Sequence, residues 1–164
     1  MREIFFVRWL FETQVVGLAI GRALCQRGLD TVILDQEDRV GSVTSSRNSE
    51  VVHAGLYYRE GSLKELLCIQ GKEMLYDYCL KNNVPHRKCG KLVVAQQEDA
   101  LEGLLSNARR AGVDAKMLTS RQASSLEPEV RCAAALESPT TGIIYSHSFL
   151  SSLLSEAESA GAVL

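Results

Sequence analysis

Metal-binding and disulfide signatures are missing from this chain. Its five cysteines (Cys25, Cys68, Cys79, Cys89 and Cys132) are scattered, with no C-x-x-C pair and no clustered histidines. A zinc centre needs closely spaced ligands and a disulfide framework needs densely paired thiols, so the cysteines read as free and no metal is expected. Neither sign of charge dominates: 18 Lys and Arg stand against 20 Asp and Glu, which leaves no basic field to draw a nucleic acid. No apolar run approaches the roughly 20 residues that a helix needs to cross a bilayer, so no transmembrane segment is expected. Internal repeats and low-complexity linkers are absent too. The opening stretch MREIFFVRWLFE sets Arg2 and Arg8 among aromatic residues in the manner of a mitochondrial presequence, but Glu3 and Glu12 argue against one.

What is present suits a folded α/β chain. The 164 residues are 46% hydrophobic and 23% charged, enough for an ordinary domain with its own core. Ile4–Phe6 is β-prone and predicts a first strand. Val15 to Gly28 predicts a helix with Val16, Ala19, Ile20, Ala23 and Leu24 inward and Gly28 as its stop. Thr31–Leu34 is a short apolar run ending in Asp35, the pattern of a buried parallel strand. Residues 39–61 form a long, Ser- and Gly-rich loop, and long loops in compact domains usually carry function.

Ser62-Leu63-Lys64-Glu65 has the capping-box pattern. It opens a helix predicted to run to about Asn82 with Leu63, Leu66, Leu67, Met74, Leu75 and Tyr78 inward. A strand follows at Gly90–Ala95, then a helix over about 98–111 with Leu101, Leu104, Leu105 and Ala108 inward and Gly112 as its cap. A helical turn closes at Leu126 before Pro128, and Thr140–Gly142 turns into a strand at Ile143–Tyr145. The last helix points Phe149, Leu150, Leu153, Leu154 and Ala157 inward and stops at Gly161. Ala162–Leu164 reads as the beginning of another strand. Alternating strands and helices of this kind predict an α/β sheet.

Two segments carry candidate chemistry. A strand, a helix and a second strand ending in an acid is the frame of a dinucleotide-binding βαβ unit, whose glycines admit a pyrophosphate and whose acid takes the ribose hydroxyls. Gly17 stands where the third glycine belongs and Asp35 where the acid belongs, whereas Glu12 and Gln14 hold the first two glycine positions. Side chains there crowd the turn, and a carboxylate at 12 would repel a phosphate at the helix N-terminus. A purely structural βαβ unit satisfies the spacing equally well. In the loop TSSRNSEVVHAGLYY, Ser45, Ser46, Arg47 and Asn48 supply donors suited to an oxyanion. His53 suits a general base. The alternative is that Ser45 and Ser46 cap a helix and His53 is a buried, hydrogen-bonded histidine.

The stretches Val15–Asp35, TSSRNSEVVHAGLYY, GSLKELLCIQGKEMLYDYC, PHRKCGKLVVA and SPTTGIIYSHSF together resemble the L-2-hydroxyglutarate dehydrogenase branch of the FAD-dependent, D-amino-acid-oxidase-like superfamily. The likeness is nearly collinear from Val15 to about Leu154. It implies a Rossmann-like FAD-binding βαβ unit with the beginning of an interleaved α+β substrate domain, incomplete in this chain. In that division residues 1–89 begin the FAD domain (1–14 being atypical), 90–140 start the substrate domain and 141–164 return to the first. By the resemblance, Gly17 belongs to the pyrophosphate turn, Asp35 (or Gln36) meets the adenosine ribose, Ser45, Ser46, Arg47 and Asn48 lie along the FAD, and His53 is the base. Lys91 either holds a substrate carboxylate or is an exposed strand lysine.

The activity implied is oxidation of a small 2-hydroxy acid, L-2-hydroxyglutarate, to 2-oxoglutarate in mitochondria, with electrons passed to an acceptor that the residues do not specify. Two rivals stand beside it: a catalytically silent fragment that binds a full-length relative, and a nicotinamide-binding domain. The serine-rich loop favours flavin, and the altered turn favours silence.

Overall fold

The computed structural model describes the backbone at residues 8–11 and 13–164, with side chains from residue 13 onward. The strand expected at Ile4–Phe6 and the side chain of Glu12 lie outside the described residues. In chain order the elements are β1 (Arg8–Phe11), α1 (Val15–Cys25), β2 (Thr31–Leu34), β3 (Val51–Val52), α2 (Leu63–Lys81), β4 (His86–Arg87), β5 (Leu92–Ala95), α3 (Glu102–Arg110), β6 (Lys116–Thr119), α4 (Ser120–Leu126), β7 (Ala134–Glu137), β8 (Gly142–Ile144) and α5 (Ser146–Ser159). Two 3₁₀ turns, Thr44–Ser46 and Glu98–Leu101, complete the inventory. They fall into two compact units. One ends its first stretch at Glu50 and adds Asn82–Pro85 and Tyr145–Leu164; the other comprises Val51–Lys81 and His86–Ile144.

In the first unit β1 and β2 pair in parallel, from Arg8 opposite Thr31 to Phe11 opposite Leu34, with α1 as the crossover. This is the expected βαβ frame. Val163 joins β2 through a parallel bridge to Val32, as the strand-like final residues predict. Helix α1 packs on α5 and β2. Its buried residues are Gly17, Leu18, Gly21 and Cys25, while Val16 is 63% and Ile20 44% exposed. The inward face therefore differs from the one predicted. Periodicity selects the largest apolar side chains, but close packing of α1 uses the small strip formed by Gly17 and Gly21, and Leu18 fills the space beside it. Helix α5 buries Leu150, Leu153 and Ala157 as expected. Arg22 of α1 and Glu156 of α5 form an ion pair at 2.5 Å.

The second unit holds two antiparallel three-stranded sheets, in the orders β3-β8-β4 and β5-β7-β6. Its core gathers Leu56, Leu101, Ala108, Val113 and Leu136. Helix α2 is turned the other way from its prediction. Glu65, Lys72, Tyr76 and Cys79 are buried, whereas Leu63 is 74%, Leu67 62% and Met74 71% exposed. The buried polar groups explain the orientation because each finds a partner. Arg110 grips the Glu65 carboxylate at 2.6 Å, Lys72 pairs with Glu73 at 2.9 Å, and the Tyr76 hydroxyl donates to the Thr140 carbonyl at 3.1 Å. A buried charge with a good partner is tolerated, so these contacts let α2 present this face. The Ser62 hydroxyl accepts from the Glu65 amide as a cap should, but the Glu65 carboxylate accepts from the Gly61 amide, one residue earlier than a capping box requires.

Candidate functional site

In the first unit, two of the residues picked from the sequence flank the turn before α1: Asp35 through Thr13, and Ser45 through Gln14 and Val15. Asp35 follows the last residue of the strand, and its carboxylate is already engaged. The Thr13 amide donates to Oδ2 at 2.7 Å, the Thr13 hydroxyl donates to the same oxygen, and the Glu37 amide donates to Oδ1 at 2.9 Å. These donors, the Thr13 hydroxyl foremost, hold the Asp35 carboxyl below its ordinary pKa. A cavity of about 190 Å³ opens beside it, lined among others by Thr13, Ile33, Leu34, Asp35, Glu37 and Asp38. Three carboxylates among its lining, Asp35, Glu37 and Asp38, suit hydroxyl donors and repel phosphate.

The turn before α1 is closed by the loop that follows β2. Gln14 is extended at the helix N-cap (φ −79°, ψ 175°), and its side-chain oxygen accepts the Ser45 amide at 2.7 Å. The Ser45 hydroxyl in turn accepts the Val15 amide at 3.1 Å. An amide at the first turn of a helix has no intrahelical partner, so Ser45 caps α1, as the structural alternative foresees. Asn48 donates to the Ser45 carbonyl at 2.7 Å and its side-chain oxygen accepts the Glu50 amide at 2.7 Å, which tightens the loop. Gly17 is buried within α1. Ser46 donates to the carbonyls of Ser42 and Val43, and both Ser46 and Arg47 are exposed. Glu50, not singled out in the sequence, adopts φ 56° and its carboxylate accepts the amide and hydroxyl of Ser146, capping α5.

His53 belongs to the second unit. It is exposed, and among the described residues nothing is hydrogen-bonded to its imidazole, so the alternative of a buried, bonded histidine does not hold. Its backbone carbonyl accepts the Cys68 thiol at 3.4 Å. Partial desolvation, then the positive charges of Lys91 and Lys64, keep its pKa below the ordinary histidine value. At neutral pH the imidazole is therefore unprotonated and ready to accept a proton. The loop is held rigidly. Asn107 donates to the carbonyls of Leu56 at 2.7 Å and Tyr58 at 3.3 Å. Gly55 sits at φ 103°, where a Cβ would meet Ile69 Cγ1 at 2.8 Å, so only glycine fits. Lys91 and Lys64 stack on the two tyrosines that follow, with Nζ 4.8 Å from the Tyr57 ring centre and 5.0 Å from that of Tyr58. Lys64 carried no signal in the sequence beyond its place in the helix cap.

The parallel β1-α1-β2 frame with Asp35 behind β2 is the layout expected from the sequence. The family model described as "FAD dependent oxidoreductase" matches residues 15–164. The chain belongs to the FAD-dependent oxidoreductase family. It is 46% identical over 149 residues to a mitochondrial L-2-hydroxyglutarate dehydrogenase of Arabidopsis thaliana, a match covering 87% of this chain and 30% of that protein. The human protein of the same name is 34% identical over 157 residues, covering 92% of this chain and 34% of its own. Among solved structures, L-alpha-glycerophosphate oxidase from Mycoplasma pneumoniae with FAD bound superimposes with a TM-score of 0.90 at 23% identity, over 96% of this chain and 44% of that one. Glycine oxidase from Geobacillus kaustophilus gives 0.84 at 23% identity, over 96% of this chain and 45% of its own. The chain spans about a third of the length of these curated relatives.

The family's cofactor is FAD, which decides for flavin against nicotinamide. The frame at β1, α1 and β2 fits it. The turn does not: the Ser45 amide, the Val15 amide and the Asp35 carboxylate are all bonded within the chain, and Gln14 is buried where a glycine would leave the backbone bare.

Among the described residues no group of histidines, cysteines and carboxylates could hold a metal ion, and no helix is long and apolar enough to cross a membrane.

Proposed function

We propose that residues 15–164 are the leading part of an enzyme that oxidises L-2-hydroxyglutarate to 2-oxoglutarate in mitochondria. The 46% identity to a dehydrogenase of that name carries the reading. In this reading residues 1–89 and 141–164 belong to the FAD-binding domain and 90–140 begin the substrate domain. FAD supplies the two-electron oxidation in such enzymes, and the protein manages position and protons. Gly17, Asp35, Ser45, Ser46, Arg47 and Asn48 are assigned to the cofactor in a chain whose turn is opened, since the bonds of Gln14 and Thr13 occupy Ser45 and Asp35 here. His53 is assigned the proton of the substrate's 2-hydroxyl, and its unprotonated, exposed imidazole supports that role. The electrons then leave to a separate acceptor.

A graft tests this directly. Residues 15–164, placed in a full-length relative with a glycine turn, are expected to support dye reduction with L-2-hydroxyglutarate. His53→Ala in that graft is expected to lower turnover by roughly 100-fold or more, the worth of a general base. An inactive graft that folds and holds FAD would sink the activity, and an active His53→Ala graft would sink the assignment of the base.

A second reading, a catalytically silent chain that associates with a full-length relative, is favoured by the closed turn. The isolated chain is expected not to reduce the dye. Orientation within a complete, enclosed site is worth on the order of 7–11 kcal/mol of barrier, and this chain supplies only about a third of the length of its relatives.

A further inference from the structure

We propose that Lys64 and Lys91 form a two-point clamp for a dicarboxylate beside His53, which makes this loop select substrates with two carboxylates over those with one. The clamp rests on the reading of His53 as the base of a 2-hydroxyacid dehydrogenase, and it adds the residues that set specificity. Its basis is geometric. Lys64 lies in the first turn of α2 and Lys91 immediately precedes β5. Both side chains return to the same loop and rest on consecutive tyrosines, with Nζ 5.0 Å from the Tyr58 ring centre and 4.8 Å from that of Tyr57. The two tyrosines are consecutive, and the charges of both lysines act on the His53 imidazole, which brings the two ammonium groups to one stretch of chain.

Neither lysine has a carboxylate within 4 Å among the described residues, although other cations of this unit are paired, Lys72 with Glu73 and Arg110 with Glu60 and Glu65. Two unpaired like charges near one imidazole repel each other and resist its protonation, which agrees with the lowered pKa of His53. A dianion relieves both effects. The aromatic faces orient the ammonium groups without neutralising them, and both remain available to a carboxylate. A diacid with a hydroxyl beside one carboxylate would thus be held at two points, its hydroxyl within the reach of His53.

The test is an NMR titration of His53 in the 164-residue chain, its imidazole signal assigned with His53→Gln. Glutarate is compared with butyrate at equal ionic strength. The clamp predicts that glutarate raises the His53 titration midpoint saturably and that butyrate does not. Lys64→Met and Lys91→Met should each weaken the glutarate effect by about tenfold, the worth of one charge-assisted contact. Equal effects of the two acids, an absence of saturation, or an undiminished glutarate effect in both variants would each overturn it. Because this readout needs neither flavin nor turnover, it fails independently of the proposed oxidation. A clamp that binds glutarate in an inactive graft defeats only the oxidation. An active graft whose KM for L-2-hydroxyglutarate is unmoved by both substitutions defeats only the clamp.

Discussion

Opening the turn before α1 should convert a poor FAD site into a better one, and the structure sets the size of the change. The perturbation is Gln14→Gly combined with Thr13→Ala. Gln14 is 6% and Thr13 1% exposed, so water does not compete for their bonds. Any ligand that needs the Ser45 amide must first displace the 2.7 Å bond to Gln14, a neutral hydrogen bond worth about 0.5–1.5 kcal/mol net. A ribose hydroxyl approaching Asp35 must compete with the Thr13 hydroxyl, whose bond to a carboxylate is worth about 1.5–3 kcal/mol. At 1.4 kcal/mol per tenfold, the first change is worth about 2- to 12-fold in affinity and the second about 10- to 150-fold. The two sites share one turn, so their sum is an upper limit. The assay is quenching of flavin fluorescence on titration with protein, repeated with ADP in competition, and thermal unfolding confirms that the variant is folded. The unmodified chain should bind weakly and the double variant at least tenfold better. Tight binding of FAD by the unmodified chain, or no gain in a folded double variant, would refute the idea that the turn occupies its own ligand positions.

Two further outcomes follow from the same geometry. Turnover of the graft should fall on acidification with a midpoint below the ordinary histidine value, because the folded-state pKa of His53 is lowered; the sign for stability is that the unfolded chain binds the proton more readily, so this group destabilises the fold as pH drops through its unfolded value of about 6.5, which acid-unfolding curves of the chain and of His53→Gln would compare. On α2, Leu67→Ser should change stability by no more than about 0.5 kcal/mol, since Leu67 is 62% exposed, whereas Tyr76→Ala at 4% exposure should cost about 3–5 kcal/mol by urea denaturation; a reversed ranking would mean that α2 is turned the way its leucines suggest.

The frame was legible because its signals are local. Thr31–Leu34 with Asp35 behind it reads as a parallel strand from its apolar run alone, and the stops of α1, α3 and α5 read from Gly28, Gly112 and Gly161, all at positive φ. The faces of α1 and α2 were not legible, for opposite reasons. On α1 the packing surface is made by what is missing, the side chains of Gly17 and Gly21, and a search for large apolar residues passes over it. On α2 the deciding contacts are with partners distant in sequence: Glu65 with Arg110, and Tyr76 with the Thr140 carbonyl. Nothing within the helix announces them. In the same way, Asp35 and Ser45 could be picked out as candidates, but not the fact that Thr13 and Gln14 already hold them, because those bonds span 22 and 31 residues.

The closed turn and a sound fold are compatible because the same bonds produce both. A backbone amide left bare in a buried turn costs free energy unless something accepts from it. With glycine at 14 the Ser45 amide would have no acceptor from that position, and it would depend on a ligand or on water for a partner. Gln14 supplies the acceptor from within the chain, and Thr13 does the same for Asp35 in the role of donor. Gln14 thus satisfies permanently a backbone amide that would otherwise depend on a ligand or on water, and the Thr13 hydroxyl adds to a carboxylate that the Thr13 and Glu37 amides already hold. A ligand that needs the Ser45 amide must first break a bond that stabilises the unliganded unit. The changes in turn and affinity are therefore coupled with opposite signs. A variant that gains FAD affinity at Gln14 or Thr13 should unfold at a lower temperature when no FAD is present. It should recover that loss once FAD is added in excess of its Kd. Loss of stability without gain of affinity would separate the two effects and leave Gln14 as a packing residue only.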